Sequence, residues 1–491
     1  MNPSSDLVNK LWRLCALLRK DGVTYQQYVT ELTYLLFLKM LAEKGMEAGR
    51  IPDGLRWADL VSAEGLPQLA LYRKVLASLG DPLKPLDRIV QAIFANSATF
   101  IREPVNLEKL VSAIDELHWF SDERDSFGDL YEGLLQKNAE ETKRGAGQYF
   151  TPRVLVTVLV RLMKPQPGEV IQDPAAGTGG FLIAADAAMK AETDEYTMLP
   201  TARQTFQIKR ALQGVENVEG VYRLLLMNLF LHGIESEHIT LADTLGPEGA
   251  DIAKTWPADL ILTNPPFGPA GGRPSRDDLT VTSTVSSYQL PFVEHCIRSL
   301  KPGGRAAVVV PDNVLFEDGR GRELRRMLMD RCDLHTILRL PTGIFYAQGV
   351  KTNVIFFRKG TETSGNTKAV WVYDLRANMQ SFGKTAPLTE AHFADFDVAY
   401  GDDPNGGGTR FDQGGAGRFR RFTREEIAAR GDNLDITWLR DTSEDPEDSF
   451  TEPEEFIAAI RAHLTNALAE IEALADELED GAGVVVQEAA E

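Results

Sequence analysis

An amide, two prolines and an aromatic ring stand in a row at Asn264-Pro265-Pro266-Phe267, directly after the apolar run at 260–263. Two consecutive prolines can neither continue a sheet ladder nor sit inside a helix, so the backbone must stop and stiffen there. In α/β proteins the end of a strand is where ligands are placed. An amide oxygen and a neighbouring backbone carbonyl held at such a point can accept the two hydrogens of an exocyclic amine. The Phe267 ring then covers the flat face of the heterocycle. The same four residues would also serve as a strand followed by a stiff turn with a buried ring, and what stands upstream distinguishes the two.

Residues 169–182, EVIQDPAAGTGGFL, read as strand, acidic residue, glycine-rich turn and helix. Glycines at 177, 179 and 180 let the backbone turn sharply and approach a ligand closely. A phosphate-cradling loop needs GxxxxGK[ST], and its lysine is missing; a dinucleotide fingerprint GxGxxG fails after its second glycine. S-adenosylmethionine carries no phosphate, and its ammonium suits Asp173 as acceptor, with Ala175, Gly177, Thr178, Gly179 and Gly180 forming the loop against it. Glu216, in LQGVEN (212–217), stands at the end of the next β-type run, where two carboxylate oxygens can meet the two ribose hydroxyls. A solvated loop carboxylate is the other reading of Glu216. Asp243 follows a third short run and is placed to accept from the adenine amine of the cofactor. Upstream, GQYFTPR (147–153) gives Thr151 as a helix N-cap with Pro152 at the first helical position. The amides of that helix start can hold the cofactor carboxylate, with Tyr149 and Phe150 packed on its rings; alternatively this is only a well-capped helix.

These residues need a frame. From about 145 to 360, apolar β-type runs (170–172, 211–215, 260–263, 305–310, 336–340, 353–357) alternate with helical stretches. Runs such as AAVVV (306–310) fit strands buried on both faces, and hence a mostly parallel, doubly wound α/β sheet of Rossmann-like type. Residues 1–140 read as a helical domain, with Leu7, Leu11, Leu14 and Leu18 at helical spacing and an amphipathic segment at 28–44. A loop at 268–287, rich in Gly, Pro, Ser and Thr and carrying Arg273 and Arg276, is either functional or disordered. Residues 401–421 are glycine-rich and read as a flexible linker. The last element reads as one helix at 451–480, opened by a capping box of Thr451 and Glu454. Ile457, Leu464, Ile471 and Leu478 take one heptad position there and Ile460, Ala467 and Leu474 the other, for packing within the chain or on a partner's helix. The expected division is a helical domain at 1–140, a cofactor-binding α/β domain at 141–400, a flexible segment at 401–450, a subunit-contact helix at 451–480 and a tail at 481–491.

At 491 residues the chain exceeds one core. Its net charge of −20 is uneven: residues 441–491 hold 16 acidic side chains and one basic, leaving 56 acidic against 51 basic in the rest. A nearly neutral body allows local basic patches, yet tight binding to nucleic acid would need a partner. Three scattered cysteines without CxxC or His spacing argue against a disulfide framework and a zinc site, and no metal is expected. No run approaches a membrane span and no signal peptide is evident, so a cytoplasmic protein is the default.

GQYFTP, DPAAGTGGF, the acidic strand end and NPPF, in that order, resemble the amino-methylating DNA methyltransferases whose cofactor motif precedes the catalytic one. Later stretches at 290–316 and 340–360 look like that family's remaining core motifs. With the helical N-terminal part and GDNLDITWL (431–439), the chain resembles the methylation subunit of type I restriction–modification systems over residues 7–440. The resemblance implies methyl transfer from S-adenosylmethionine to N6 of an adenine in double-stranded DNA. Asn264, Pro265, Pro266 and Phe267 would form the catalytic corner. The base would be flipped out of the helix and stacked on Phe267, with Phe345 in GIFYAQG as the other face, unless Phe345 is an ordinary core aromatic. It also implies a separate specificity subunit, and admits a second methylation subunit and a restriction subunit. An N4-cytosine target, a stand-alone DNA methylase and a protein glutamine-N5 methyltransferase are the alternatives, since the same corner suits those amines.

Overall fold

The computed structural model describes residues 11–13, 22–116, 151–345, 350–380, 382 and 386–440, together with positions 457, 460, 461 and 464. Contacts divide the chain into two compact units: Met1–Ala146 with Val218–Glu235, and Gly147–Asn217 with Ser236–Glu491.

The first unit is helical among its described residues and is built around the helix Tyr25–Glu43. Thr24 and Gln27 start that helix as a reciprocal pair: the Thr24 hydroxyl accepts from the Gln27 amide at 3.2 Å, and the Gln27 side chain accepts from the Thr24 amide at 2.9 Å. The segment at 28–44 is not a surface amphipath. Every side chain from Glu31 to Leu41 is buried, because its polar members find internal partners. Tyr72 donates to Glu31 at 2.8 Å, and Lys39 pairs with Asp115 at 2.9 Å and Glu43 at 3.1 Å. Burial pushes the Glu31 carboxyl above its ordinary range against the pull of hydrogen bonds from Thr99, Tyr72 and the Phe100 amide. The helix Glu219–Leu231, which follows the second strand of the other unit in sequence, also belongs here. Its Phe230 meets Phe37 edge-on at 5.7 Å.

The second unit holds one nine-stranded sheet: β1 (Ile171–Asp173), β2 (Leu212–Glu216), β3 (His238–Leu241), β4 (Ala258–Thr263), β5 (Leu300–Pro311), β6 (Cys332–Arg339), β7 (Thr352–Lys359), β8 (Ala369–Asp374) and β9 (Phe419–Thr423), in the order 3-2-1-4-5-7-6-8-9. Strands β3 to β5 of that order are parallel throughout, as the apolar runs predict. The chain steps outward from β1 to β3, returns to β4 and continues to β5 on the other side. The order therefore reverses between β1 and β4. Beyond β5 the sheet is mixed: β7 lies antiparallel between β5 and β6, β8 is parallel to β6, and β9 is antiparallel to β8. Ile261, Val293, Val308, Val310, Leu328, Ile337 and Phe357 are buried in one continuous core. Each such side chain contributes roughly 1.5–3 kcal/mol relative to exposure.

Residues 401–440 correct the flexible-linker expectation. Their glycines serve turns closed by side chains: Asp403 accepts from the amides of Asn405 and Gly407 at 2.9 and 3.0 Å. Gln413 accepts from those of Arg418 and Phe419 at 3.0 and 3.1 Å. Strand β9 pairs along β8, and Leu434 and Ile436 enter the core. In the heptad segment, Ile457, Ile460, Arg461 and Leu464 are helical and exposed; its other positions, and those of the tail, lie outside the described residues.

Candidate active site

All the parallel strands present their carboxyl ends on one edge, and the register sets what meets there. Gln172 stands opposite Ile261, so β1 and β4 finish side by side where the strand order reverses. Asp173 ends β1, and Asn264 follows the last residue of β4. On the other side Asp173 is opposite Gly214, which puts Glu216 two residues further along β2. Such a reversal opens a crevice above the sheet.

Asp173 is 2% exposed, and its Oδ1 accepts from the Ala175 amide at 3.1 Å. Burial pushes its carboxyl up to about 7, against the opposing pull of the Thr263 hydroxyl and the Ala175 amide; the charge of Glu216 raises it further. The glycine loop is tied to the end of β2 twice. Gly177 donates to Glu216 Oε2 at 3.1 Å, and Ala176 donates to the Val215 carbonyl at 2.9 Å. Gly177 and Gly179 have φ of 54° and 88°, values that L side chains rarely adopt. The loop then delivers Thr178 and enters the helix Gly180–Thr193 with Gly179 as its N-cap. A Cβ on Gly177 would meet no atom within 4 Å, so the space above the loop is open. Gly177→Val will therefore occupy that open space rather than clash. It will cost about 1–2 kcal/mol in backbone strain and abolish S-adenosylmethionine binding in calorimetry while the melting transition stays cooperative.

Asp243 reaches the same edge, two residues beyond Leu241, which pairs with Glu216. It is exposed, and its Oδ1 closes a turn by accepting from the Leu245 amide at 2.9 Å. Thr151 departs from its expected role. The helix is Arg153–Met163, its N-cap is Pro152, and no side chain caps it. The Thr151 hydroxyl instead accepts from Asn264 Nδ2 at 2.9 Å. That bond fixes which end of the Asn264 amide is the donor and which the acceptor. Tyr149 and Phe150 lie outside the described residues.

Pro265 is buried and Pro266 half-buried behind Asn264. Strand β6 runs with β4 and β5, so the connection from β6 to β7, which carries Phe345, leaves from the same edge. Phe267 and Phe345 are both buried and meet edge to face, with centroids 6.5 Å apart at 77°. The two rings are thus brought together, but not as parallel walls of a slot; a ring sandwiched between them requires one to turn.

The loop at 268–287 is pinned rather than disordered. Arg276, buried, makes a two-bond pair with Asp278 at 2.9 and 2.7 Å and donates to the Thr244 carbonyl at 2.8 Å and to His295 Nδ1 at 2.6 Å. Burial, with Arg276 alongside, pushes His295 down to about 3, so the ring stays neutral and accepts. Glu294, also buried, accepts from the amides of Thr280 and Thr282 at 2.8 Å each. Thr244 in turn donates to the Pro174 carbonyl at 2.6 Å, which links this loop to the one after β1. Neither Arg276 nor Glu294 carries a sequence signal for this role, since each works through partners it meets only in the fold.

A buried carboxyl, a second carboxylate on the loop amide, open space above Gly177 and no lysine in the loop fit a phosphate-free cationic nucleoside; S-adenosylmethionine is one. No group of His, Cys, Asp and Glu among the described residues could hold a metal ion.

Comparison with known proteins agrees in kind. The N-6 DNA Methylase family model matches residues 122–448, and that of the HsdM N-terminal domain matches residues 7–117. The chain is 50% identical to the type I restriction enzyme EcoKI methylase subunit of Escherichia coli (strain K12), over 97% of this chain and 96% of that one. It is likewise 50% identical to the type I restriction enzyme StySPI methylase subunit of Salmonella potsdam, over 98% and 96%. The crystal structure of the EcoKI M protein superposes with a TM-score of 0.57 at 45% identity, covering 97% of this chain and 96% of that one. The chain belongs to the N-6 DNA methylase family, among the methylase subunits of type I restriction enzymes.

Proposed function

We propose that Asn264, Pro265, Pro266 and Phe267 form the corner at which this adenine-N6 DNA methyltransferase activates its target amine. The observation that carries this reading is the pairing of two strand ends at the reversal of the sheet: the buried Asp173 on one, and Asn264, its amide oriented by Thr151, following the other. The amine of adenine is a poor nucleophile, because its lone pair is delocalised into the ring. Asn264 Oδ1 and the Pro265 carbonyl accept its two hydrogens, drawing the nitrogen toward tetrahedral geometry and aiming the lone pair. The bound S-adenosylmethionine supplies an electrophilic methyl group on a sulfonium. Asp173 holds the ammonium end of that cofactor, Glu216 its ribose hydroxyls and Asp243 its adenine amine. Ala175, Gly177, Thr178, Gly179 and Gly180 line its path, and Tyr149, Phe150 and Thr151, upstream in sequence, complete the cofactor set. No general base of unusual strength is required, since positioning alone can supply several kcal/mol of the barrier.

Flipping the adenine out of the duplex costs a few kcal/mol, which stacking on Phe267, opposite Phe345, partly offsets. The curated relatives are named as subunits. A specificity subunit that reads the sequence, a second methylase subunit and a restriction subunit are the partners that fit this chain's nearly neutral body. No helix among the described residues is long and apolar enough to cross a membrane, and the DNA substrate suits a cytoplasmic site. The test is labelled methyl transfer to DNA by the chain with and without its specificity subunit. Transfer is expected only with it; robust transfer by the isolated chain would overturn the subunit reading.

A further inference from the structure

Arg376, just past the end of β8, has no place in any of the motifs above, yet its side chain is bonded to three strand ends on the target side of the site. Its side chain is 10% exposed. Its guanidinium forms a two-bond pair with Asp312 at 2.8 and 2.9 Å. Nε donates to the Leu340 carbonyl at 2.9 Å, and Nη2 to the Thr352 carbonyl at 2.8 Å. Leu340 follows β6 and Thr352 begins β7, so these two carbonyls are the two sides of the neck of the connection that carries Phe345. The neck is closed by the Leu340 amide, which donates to the Thr352 carbonyl at 3.0 Å, and is tied to the end of β5 by the Asp312 amide, which donates to the Lys351 carbonyl at 3.0 Å. Asp312 follows β5, the strand beside β4, and also accepts from Asn353 at 2.8 Å. Burial works against its charge, but Arg376, with Asn353 and Arg339, outweighs burial and holds the carboxyl below its ordinary range.

We propose that Arg376 is a positioning residue for the target base: it staples the ends of β5, β6 and β7 and so sets the place of Phe345 against Phe267. This rests on the reading of Phe345 as one wall of the base site. The geometry demands arginine, because a planar fork serves Asp312 with two parallel bonds while its other donors reach both sides of the neck. A lysine has one point charge and cannot span them. None of the bonds named here reaches Asp173, Glu216 or the glycine loop, so the effect falls on the base and not on the cofactor.

The experiment uses the chain assembled with its specificity subunit, on a duplex bearing 2-aminopurine in place of the methylated adenine, with S-adenosylmethionine affinity measured by calorimetry. Arg376→Lys is expected to keep cofactor affinity within about twofold, to lose the fluorescence rise of the extruded 2-aminopurine, and to lower kcat on the adenine duplex about 100-fold. Unchanged fluorescence and kcat would overturn the inference. So would a parallel loss of cofactor affinity, which marks a role in holding the whole fold. Should Arg376→Lys fail to fold, Asp312→Asn carries the test, with a loss of about tenfold in kcat expected and cofactor affinity kept. Phe345→Ala separates the two readings. If it too captures the base fully, the wall reading fails and the staple has nothing to hold; if it loses the base while Arg376→Lys keeps it, the staple alone is wrong.

Discussion

Asn264→Ala will abolish methyl transfer to DNA and leave S-adenosylmethionine binding intact. The alanine removes the side-chain acceptor that would draw the adenine amine out of conjugation. Thr151, whose hydroxyl accepts from the Asn264 amide at 2.9 Å, is on the donor side of that amide. Losing one acceptor aimed at the reacting nitrogen is worth about three orders of magnitude in kcat, on the order of 4 kcal/mol of barrier. Asp173, Glu216 and the glycine loop are untouched, because they sit on β1, β2 and the turn between β1 and its following helix. Single-turnover methyl transfer beside calorimetric titration checks both halves. Loss of cofactor binding in the variant would mean that Asn264 shapes the cofactor side instead.

Asp173→Asn has the complementary effect, and its pH dependence identifies the cause. Burial pushes the carboxyl up to about 7, so below that pH the empty site holds a neutral acid and above it a carboxylate. A cationic ammonium needs the carboxylate. Wild-type affinity therefore falls as pH drops through about 7, approaching tenfold per unit on the acid side. Asparagine stays neutral at every pH, so the variant binds roughly 100-fold more weakly in the alkaline range, about 3 kcal/mol, with no slope. Titrations between about pH 6 and 8 read both curves. A wild-type affinity that does not change with pH would show that Asp173 does not meet the ammonium.

The two corners proposed to bear on the chemistry are legible in sequence because each is made within a few residues. Proline pairs and glycine turns declare themselves in sequence: Pro265-Pro266 stops β4, and Gly177 and Gly179 turn the chain after β1. The parallel half of the sheet was legible for a related reason, since apolar runs such as 306–310 require burial on both faces. Strand direction beyond β5 was not, because periodicity does not tell a parallel strand from the antiparallel β7. Composition misled at 401–440, where glycines mark turns closed by Asp403 and Gln413 rather than a free linker. Burial misled at 28–44, where Glu31 and Lys39 mimic a polar face but are satisfied inside by Tyr72 and Asp115. The bonds that organise the site, Thr151 to Asn264, Arg276 to Thr244 and Arg376 to Asp312, join residues 113, 32 and 64 positions apart. No local pattern encodes such pairs, so they become visible only when the sheet brings its strand ends together.

The most direct measurement is the chemical identity of the product. DNA incubated with the chain, its specificity subunit and methyl-labelled S-adenosylmethionine is digested to nucleosides and separated, beside the same reaction with Asn264→Ala. The predicted result is label in N6-methyladenine alone for the wild type and none for the variant. Label in N4-methylcytosine, label in protein glutamine in place of DNA, or full labelling by Asn264→Ala would contradict it.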